Sequence, residues 1–100
     1  MYIYHFTHNY ERLLFQFYGK LNALESDKIQ REITTMLAHD PVSSITFDMK
    51  YVEYISSAFL SICVDLYRRV GPDQFFVIND APHVRKIFKI VGLQFSVGSV

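Results

Sequence analysis

Residues 44–78 have the sequence SITFDMKYVEYISSAFLSICVDLYRRVGPDQFFVI, and this stretch decides the fold. Residues 44–49 alternate between apolar and polar types, which predicts a strand with one buried face. After a short link, apolar residues recur at helical spacing over residues 58–70. Residues 74–78 are apolar at nearly every position, as in a strand that is covered on both faces. Two strands joined by a helix lie parallel in one sheet, so the stretch predicts an α/β fold.

The predicted helix of this stretch carries an apolar stripe and ends at Gly71-Pro72. Cys63 lies on that stripe, where a small buried thiol is far commoner than a nucleophile. We therefore expect this single cysteine to belong to the core. The residues of the stripe are Phe59, Ile62, Cys63, Leu66 and Val70. The residues on the buried face of the preceding strand are Ile45, Phe47 and Met49.

On the C-terminal side the alternation of strands and helices continues. Residues 79–82 turn the chain into a third helix, and Gly92 supplies its C-terminal end. Residues 94–97 predict a short last strand. The residues expected to face inward on the third helix are Val84, Ile87, Phe88 and Val91.

The N-terminal part predicts a β-hairpin followed by a helix. Residues 2–7 and 12–18 alternate and are rich in aromatic and β-branched types, with a turn signal at Asn9. In the second of these strands one face comprises Leu13, Phe15 and Phe17, and Gly19 is expected to end the strand.

The first helix is predicted to start after Asn22. Asn22 and Glu25 have the spacing of a capping box, and Ser26 is a competing start. Asp40-Pro41 ends the pattern. The inward-facing residues of this helix are Ile29, Ile33, Met36 and Leu37.

The complete order is β-β-α-β-α-β-α-β, which predicts a mixed, mostly parallel sheet with helices packed against it. A chain of 100 residues can bury about two-thirds of its unfolded surface, so residues 1–100 are expected to form a single domain.

Ten basic and ten acidic residues balance, which argues against a protein that binds nucleic-acid phosphates. The start MYIYHFTHNYER lacks the pattern of a secretory signal, and no apolar run is long enough to span a membrane. We expect a cytoplasmic protein without membrane insertion.

Residues with catalytic chemistry are scarce. The histidines lack the spacing of a metal pair, and no glycine-rich phosphate loop is present, so neither a metal nor a cofactor is expected. Asp48 and Glu53 lie near one strand end, where an acid/base pair is conceivable, but an ordinary surface pair explains them as well. We expect a binding protein rather than an enzyme. The histidines, for which we expect structural or solvated roles, are His5, His8, His39 and His83. The basic residues expected on solvated helix faces are Arg68, Arg69, Arg85, Lys86 and Lys89.

Two hydroxyls, Ser56 and Ser57, lie at the start of the second predicted helix. A serine N-cap accepts a hydrogen bond from a first-turn amide and typically stabilises by about 1 kcal/mol, and one serine suffices for that. A phosphate at this position would lie at the positive end of the helix dipole and could be held without unfolding the domain. The pair therefore indicates a helix N-terminus that can be modified.

At these residues the chain resembles a known family. Residues 52–60, VEYISSAFL, resemble the central motif of STAS domains, especially of anti-sigma factor antagonists, which is roughly V-x-(F/Y)-(I/M)-D-S-(S/T/A)-G-L. Residues 19–22, GKLN, are similar to the family's G-E-L-D, and residues 45–49, ITFDM, to its apolar strand with an Asp. Residues 81–93, APHVRKIFKIVGL, are similar to S-P-x-V-x-x-(L/I)-(L/F)-x-x-x-G-L. With four such segments in order, the chain is identified as a STAS domain.

The resemblance implies an anti-sigma factor antagonist of a bacterial partner-switching pathway. Ser57 matches the serine that a cognate anti-sigma factor serine kinase phosphorylates, and Ser56 is the alternative acceptor. In the family, the unphosphorylated antagonist binds the kinase and frees its sigma factor, the phosphorylated form does not, and a serine phosphatase restores it. The partner-binding residues that the resemblance implies are Asn22, Tyr54, Ser56, Ser57 and Phe59.

The chain departs from the family pattern in ways that suggest an alternative. Ser56 and Asn22 stand where the family has Asp, and Phe59 stands where it has Gly. We expect the Phe59 ring either to crowd a kinase or to contact a different partner. With Val100 as the last residue, we expect no room for the final helix that most STAS domains carry. The alternative is a STAS interaction subunit that is not phosphorylated and is bound to a transporter ATPase or a larger signalling assembly.

Overall fold

Four strands form one sheet in the order β1-β2-β3-β4 among the residues described by the computed structural model, which are 2–6, 12–39 and 42–93. The turn at Asn9, the helix end at Asp40-Pro41, the strand expected over residues 94–97 and the expected lack of a final helix lie outside those residues. The elements are β1 (Tyr2–Phe6), β2 (Arg12–Leu21), α1 (Ala23–His39), β3 (Ser44–Ile55), α2 (Ser57–Val70), β4 (Phe75–Ile78) and α3 (Pro82–Ile90).

The pairing of the strands confirms the predicted mixed, mostly parallel sheet. β1 runs antiparallel to β2, whereas β2 and β3 are parallel, and so are β3 and β4. Phe47 in β3 lies between Phe15 of β2 and Val77 of β4 in the register. Helices α1 and α2 are the crossovers that parallel pairing requires, and they contact β2 and β3 respectively.

An aromatic cluster forms the centre of the core on the face of the sheet that the helices cover. The Phe17 and Phe47 rings meet edge to face at 4.8 Å between centroids, and Phe75 meets Phe47 in the same way at 5.1 Å. Edge-to-face contacts place the positive edge of one ring against the negative face of the other. The three inward sets predicted for β2, β3 and α2 are confirmed, except that Val70 is only partly buried.

Strands β2 and β3 are longer than the sequence pattern predicted. Gly19 does not end β2 but lies within it at φ +80°, a conformation open to glycine. β3 continues through residues 50–55, which were expected to be a short link. The register shifts between Gln16 and Tyr18, and again between Gly19 and Lys20, and each shift inserts one extra residue in β3. These bulges break the period of two, so the alternation stops before the strand does.

The helices begin and end close to the predicted residues. The inward sets of α1 and α3 are buried or partly buried, with one exception. Val91 was expected to face inward, but it is 44% exposed because α3 ends at Ile90 and the chain turns away from the helical path there. Gly92, at φ +79°, makes that turn possible, and the Leu93 N–H donates to the Phe88 carbonyl at 3.0 Å.

Cys63 belongs to the core, as predicted. Burial raises the pKa of its thiol, which stays protonated and unreactive in the folded protein. Within the part of the chain that the structure describes, none of the helices combines the length and the apolar character needed to cross a membrane.

Candidate functional site

The carboxyl ends of β2 and β3 bring the starts of α1 and α2 to one edge of the sheet. Leu21 and Ile55 are partners in the register, and a helix starts directly after each of these strands. The Ser56 N–H donates to the Leu21 carbonyl at 2.9 Å, which joins the two strand ends. Ligands of open α/β sheets bind at this edge, outside the carboxyl ends of the parallel strands.

Ser56 is the N-cap of α2. Its backbone is extended, at φ −88° and ψ 167°, and its Oγ accepts a hydrogen bond from the Phe59 N–H at 3.2 Å. Its carbonyl accepts the first helical bond, from the Leu60 N–H, at 3.0 Å. The residue is only 9% exposed, so it stands inside the junction between β3 and α2 and not on the surface. Ser56 was expected to contact a partner, and its burial leaves little of its surface for that contact in the folded protein.

A second buried serine, Ser26 in α1, contacts this cap. The two Oγ atoms of Ser26 and Ser56 lie 3.2 Å apart, and Ser26 is 1% exposed. Either hydroxyl can donate to the other, and in both cases neither is left without a partner in the core. The contact joins the first turn of α1 to the start of α2.

The Ser26 contact was missed by the sequence analysis, although a signal for it exists. Ser26 lies at helical spacing before Ile29 and Ile33, on the inward stripe of α1. A hydroxyl on an inward stripe needs a hydrogen-bond partner, because a buried polar group without one is costly.

Ser57 is the first residue of α2 and is exposed. Its N–H and that of Ala58 precede the first intrahelical hydrogen bond and point out of the helix start. Its carbonyl accepts from the Ser61 hydroxyl at 3.1 Å one turn later. The first turn of α2 contains no acidic residue, so no side-chain carboxylate of that turn opposes an anion at this helix end.

Two other residues of the predicted site also lie at this edge. Asn22 is the N-cap of α1, where its Oδ1 accepts from the Glu25 N–H at 2.9 Å, which confirms the predicted start of the helix. Tyr54 is 51% exposed near the end of β3, three residues before Ser57. The exposed members of the predicted set are thus Asn22, Tyr54 and Ser57.

Phe59 is not on the surface, and the expectation that it contacts a partner or crowds a kinase is wrong. Its side chain is 0% exposed and lies edge to face on Phe17, at 5.2 Å between ring centroids. It also packs on Phe47 at 5.8 Å. In the first turn of α2 this residue faces the sheet, one turn before Ile62 and Cys63 on the stripe. The ring fills core volume where the family motif has only a glycine.

The carboxylates considered for acid/base chemistry do not form a pair. Asp48 accepts from the side-chain amides of Gln16 at 3.3 Å and Asn79 at 3.1 Å, and from the Lys50 N–H at 3.1 Å. Glu53 lies five strand residues further on, a separation of about 16 Å at the usual rise of a strand. Asp48 therefore holds the chain at the end of β4 in place and has no carboxylate partner in Glu53.

His83 is exposed at the start of α3, where its Nε2 lies 3.0 Å from the Glu53 carbonyl, so it connects α3 to β3. No group of three or more histidine, cysteine, aspartate or glutamate side chains in the described residues is placed to hold a metal ion.

Comparison with known proteins gives one family and a small set of related folds. The family model for the STAS domain matches residues 5–99. No curated protein matches the chain in sequence. Among solved structures, the anti-sigma factor antagonist SpoIIAA in its unphosphorylated form superimposes with a TM-score of 0.82 at 20% identity, covering 93% of this chain and 82% of that one.

Two further structures share the fold. The Bacillus cell fate determinant SpoIIAA in the phosphorylated form gives a TM-score of 0.77 at 18% identity, covering 93% of this chain and 85% of that chain. A protein of the DUF3478 family from Shewanella loihica PV-4, described as having a SpoIIAA-like fold, gives 0.63 at 12% identity, covering 99% and 86%. At these identities the likeness concerns the fold.

Proposed function

The chain belongs to the STAS domain family, and we propose that it is an anti-sigma factor antagonist of a bacterial partner-switching pathway. In this proposal it binds an anti-sigma factor serine kinase in the cytoplasm while Ser57 is unphosphorylated. Phosphorylation at Ser57 releases it, and a serine phosphatase returns it to the binding form. The protein itself contributes a binding surface and an acceptor hydroxyl, and no catalytic activity.

One observation carries the proposal, namely the different surroundings of the two adjacent serines. The Ser56 hydroxyl is buried and hydrogen-bonded to the Phe59 N–H and to Ser26, so a kinase would have to open the core to reach it. Ser57 is exposed on the first turn of the same helix. The acceptor in the proposal is therefore Ser57, and Ser56 holds the helix start in place.

The modification is a simple phosphoryl transfer. The Ser57 Oγ attacks the γ-phosphorus of ATP, the bond to the β,γ-bridging oxygen breaks, ADP leaves, and the hydroxyl proton passes to a base of the kinase. Dephosphorylation is a separate hydrolysis, in which water attacks the phosphorus in the phosphatase, the bond between phosphorus and the Ser57 Oγ breaks, that oxygen takes up a proton, and inorganic phosphate leaves. Both steps need a side chain that projects into solvent at a fixed position, as Ser57 does.

The phosphate would change the surface without unfolding the domain. It brings about two negative charges and three acceptor oxygens to a helix N-terminus, where the dipole and the unpaired N–H groups favour an anion. With no acidic residue in the first turn of α2, attraction to the helix end is not offset there. A partner that contacts Ser57, Tyr54 and Asn22 at this edge would meet a strongly altered charge.

The similar structures support the same proposal. A protein that shares this fold is an anti-sigma factor antagonist, and its structures were solved in an unphosphorylated and in a phosphorylated form. A phosphorylated and an unphosphorylated state are therefore both compatible with a fold of this kind.

To test the proposal, the purified protein is incubated with ATP and the serine kinases encoded beside its gene, and the phosphorylated residue is identified by mass spectrometry. We expect one phosphate on Ser57, and no phosphate on Ser57→Ala. Ser61→Ala is the matched control, because it removes an exposed hydroxyl one turn away on the same helix and should leave the modification intact. The phosphorylated protein should lose its complex with the kinase, and phosphatase treatment should restore it.

Two results would contradict the proposal. The first is a phosphate on Ser56, which would mean that the buried serine, and not Ser57, is the acceptor. A protein that stays unmodified, and that co-purifies in a stable stoichiometric complex with an ATPase subunit, would favour the STAS interaction subunit instead.

A further inference from the structure

A groove runs along the exposed side of α3. Its volume is about 390 Å³. Pro82, Arg85, Lys86 and Lys89 line it at the spacing that puts residues on one side of a helix. Asp80, just before the helix, completes the described lining. The proposed function makes no use of this surface.

The charged side chains of the groove are basic, apart from Asp80, which is paired with Arg85. Arg85 donates from Nη2 to the Asp80 Oδ1 at 2.6 Å, so these two charges balance each other. Lys86 and Lys89 are exposed, and residues 81–93 contain no acidic residue. The groove therefore keeps an excess of two positive charges on a chain whose formal net charge is zero.

Arg85 is held in a fixed orientation. The side chain of its partner Asp80 is 2% exposed, whereas the Arg85 side chain is 33% exposed, so the carboxylate anchors the guanidinium from the protein side. The bond uses one guanidinium N–H, and a guanidinium has five. A planar donor that is already oriented suits a carboxylate or phosphate, because less side-chain freedom is lost on binding.

The second oxygen of Asp80 adds an independent observation. Its Oδ2 is buried and lacks a hydrogen-bond partner, and it is the one such side-chain atom among the residues that the structure describes. A buried carboxylate oxygen without a donor is costly, and nearly all such atoms in native proteins are satisfied. A ligand for this groove has to bring anionic groups for the cations, and a ligand N–H that reached Asp80 would also satisfy its second oxygen.

The apolar surface beside the groove limits the ligand further. Ile90 follows Lys86 by four residues and is 76% exposed, the highest value among the large apolar side chains of the described residues. Val91 is 44% exposed beside it. A polypeptide segment with carboxylate and aliphatic side chains brings anions, backbone N–H donors and apolar contact together, whereas a lipid phosphate brings no backbone N–H.

We propose that the groove along α3, formed by Arg85, Lys86 and Lys89 next to Ile90, docks an acidic and aliphatic segment of a partner protein. The carboxylates pair with the guanidinium and the two ammonium groups, a backbone N–H donates to Asp80, and an aliphatic side chain covers Ile90. The residues that line this groove do not include Asn22, Tyr54 or Ser57, so in this proposal the protein has a second contact site with its own set of residues.

The test is an NMR titration of the ¹⁵N-labelled full chain with a short synthetic peptide of alternating glutamate and leucine. We expect saturable amide shifts that centre on residues 85–90 and an affinity that falls as salt is added, because the charges are exposed. The counterpart peptide with glutamine for glutamate should bind at least fivefold more weakly. No kinase is used, so failure of the peptide titration would contradict this proposal without contradicting the proposed function, which the kinase assay tests.

Variants locate the contact and control for charge. Lys86→Gln with Lys89→Gln should weaken the peptide about fivefold, whereas Lys20→Gln with Lys50→Gln, which removes the same charge from β2 and β3, should leave the affinity unchanged. Arg85→Lys keeps the charge and loses the planar donor, and it should weaken binding about threefold. Arg85→Gln would leave Asp80 without its cation and is avoided, because the variant could fail to fold.

Three results would overturn the proposal. The first is equal binding of the glutamate and glutamine peptides, and the second is wild-type affinity in the variant with Lys86→Gln and Lys89→Gln. The third is a protein that does not bind the peptide but binds vesicles of phosphatidylglycerol and phosphatidylcholine. Broadening of the α3 amide signals would detect that binding. That outcome would assign α3 to an anionic membrane surface instead.

Discussion

The inner and outer sides of the junction between β3 and α2 differ more than their sequence suggests. Ile55, Ser56 and Phe59 form the inner side, where they are 5%, 9% and 0% exposed. Tyr54 and Ser57 form the outer side, where Tyr54 is 51% exposed and Ser57 is also exposed. Adjacent residues thus differ completely in burial, although Ser56 and Ser57 have the same side chain.

The difference shows which side of the junction maintains the fold and which side could accept the proposed modification. On the inner side every polar group of Ser56 is hydrogen-bonded, so the start of α2 is held in place without help from Ser57. On the outer side the Ser57 hydroxyl is free to change chemically because the fold does not depend on it. Substitutions on the inner side should therefore cost stability, and substitutions on the outer side should change function.

The largest effect is expected for Phe59→Ala. The ring is fully buried against Phe17 and Phe47, so its removal leaves a cavity in the aromatic cluster. We expect the free energy of unfolding to fall by about 3–5 kcal/mol. Urea denaturation followed by far-ultraviolet circular dichroism measures the change.

Phe76→Ala is the matched control for this prediction. The side chain has the same chemistry but is only partly buried in β4, so its loss should cost less than half as much. Equal losses at both positions, or a loss below about 1 kcal/mol for Phe59→Ala, would contradict the assignment of Phe59 to the inner side.

The next effect in size is expected for Ser56→Ala. The substitution removes the acceptor of the Phe59 N–H and the partner of the Ser26 hydroxyl, both of which lie inside the junction. We expect a loss of about 2 kcal/mol in the free energy of unfolding. Ser56→Asn, which keeps a capping oxygen, should recover part of that loss, and a neutral Ser56→Ala would show that the cap contributes little.

The hydrophobic periodicity was enough to predict most of the inner side. The stripe with Phe59, Ile62 and Cys63 predicted the buried face of α2, and the structure confirms it. The motif comparison led to the opposite interpretation for Phe59, because a large side chain at a glycine position suggests an added surface contact. Here the periodicity was the better guide, since a residue on the inward stripe packs into the core whatever its counterpart is.

The features that sequence reasoning missed depend on contacts between distant residues. The bulges in β3 shift the register against β2, and no local pattern at residues 50–55 encodes the partner strand. The contact between Ser26 and Ser56 spans thirty residues and exists only because β2 and β3 end side by side. The exposed position of Ser57, in contrast, follows from local helix geometry, and it could be predicted from the serine pair.

The coupling between Ser26 and Ser56 gives the third effect. A double-mutant cycle of Ser26→Ala and Ser56→Ala isolates the contact between the two hydroxyls. Each single variant leaves one buried hydroxyl with a lost partner, whereas the double variant leaves none, so the two losses should not add. We expect a coupling of about 1 kcal/mol in the free energy of unfolding, and additive losses would mean that the hydroxyls do not interact.

The smallest effect concerns charge on the outer side and is measured by comparing Ser57→Glu with Ser57→Gln. A carboxylate at the first position of α2 is favoured by the helix dipole, so the glutamate variant should be the more stable by about 0.5 kcal/mol at neutral pH. Because the folded state lowers the pKa of that carboxyl group, the difference is present above about pH 4.3 and disappears as the pH falls below it. Added salt should reduce it as well. Thermal unfolding of both variants across this pH range checks the prediction.

A glutamate variant that is the less stable of the two at neutral pH would mean that the outer side opposes negative charge. A phosphate on Ser57 would then destabilise the domain instead of being held by it.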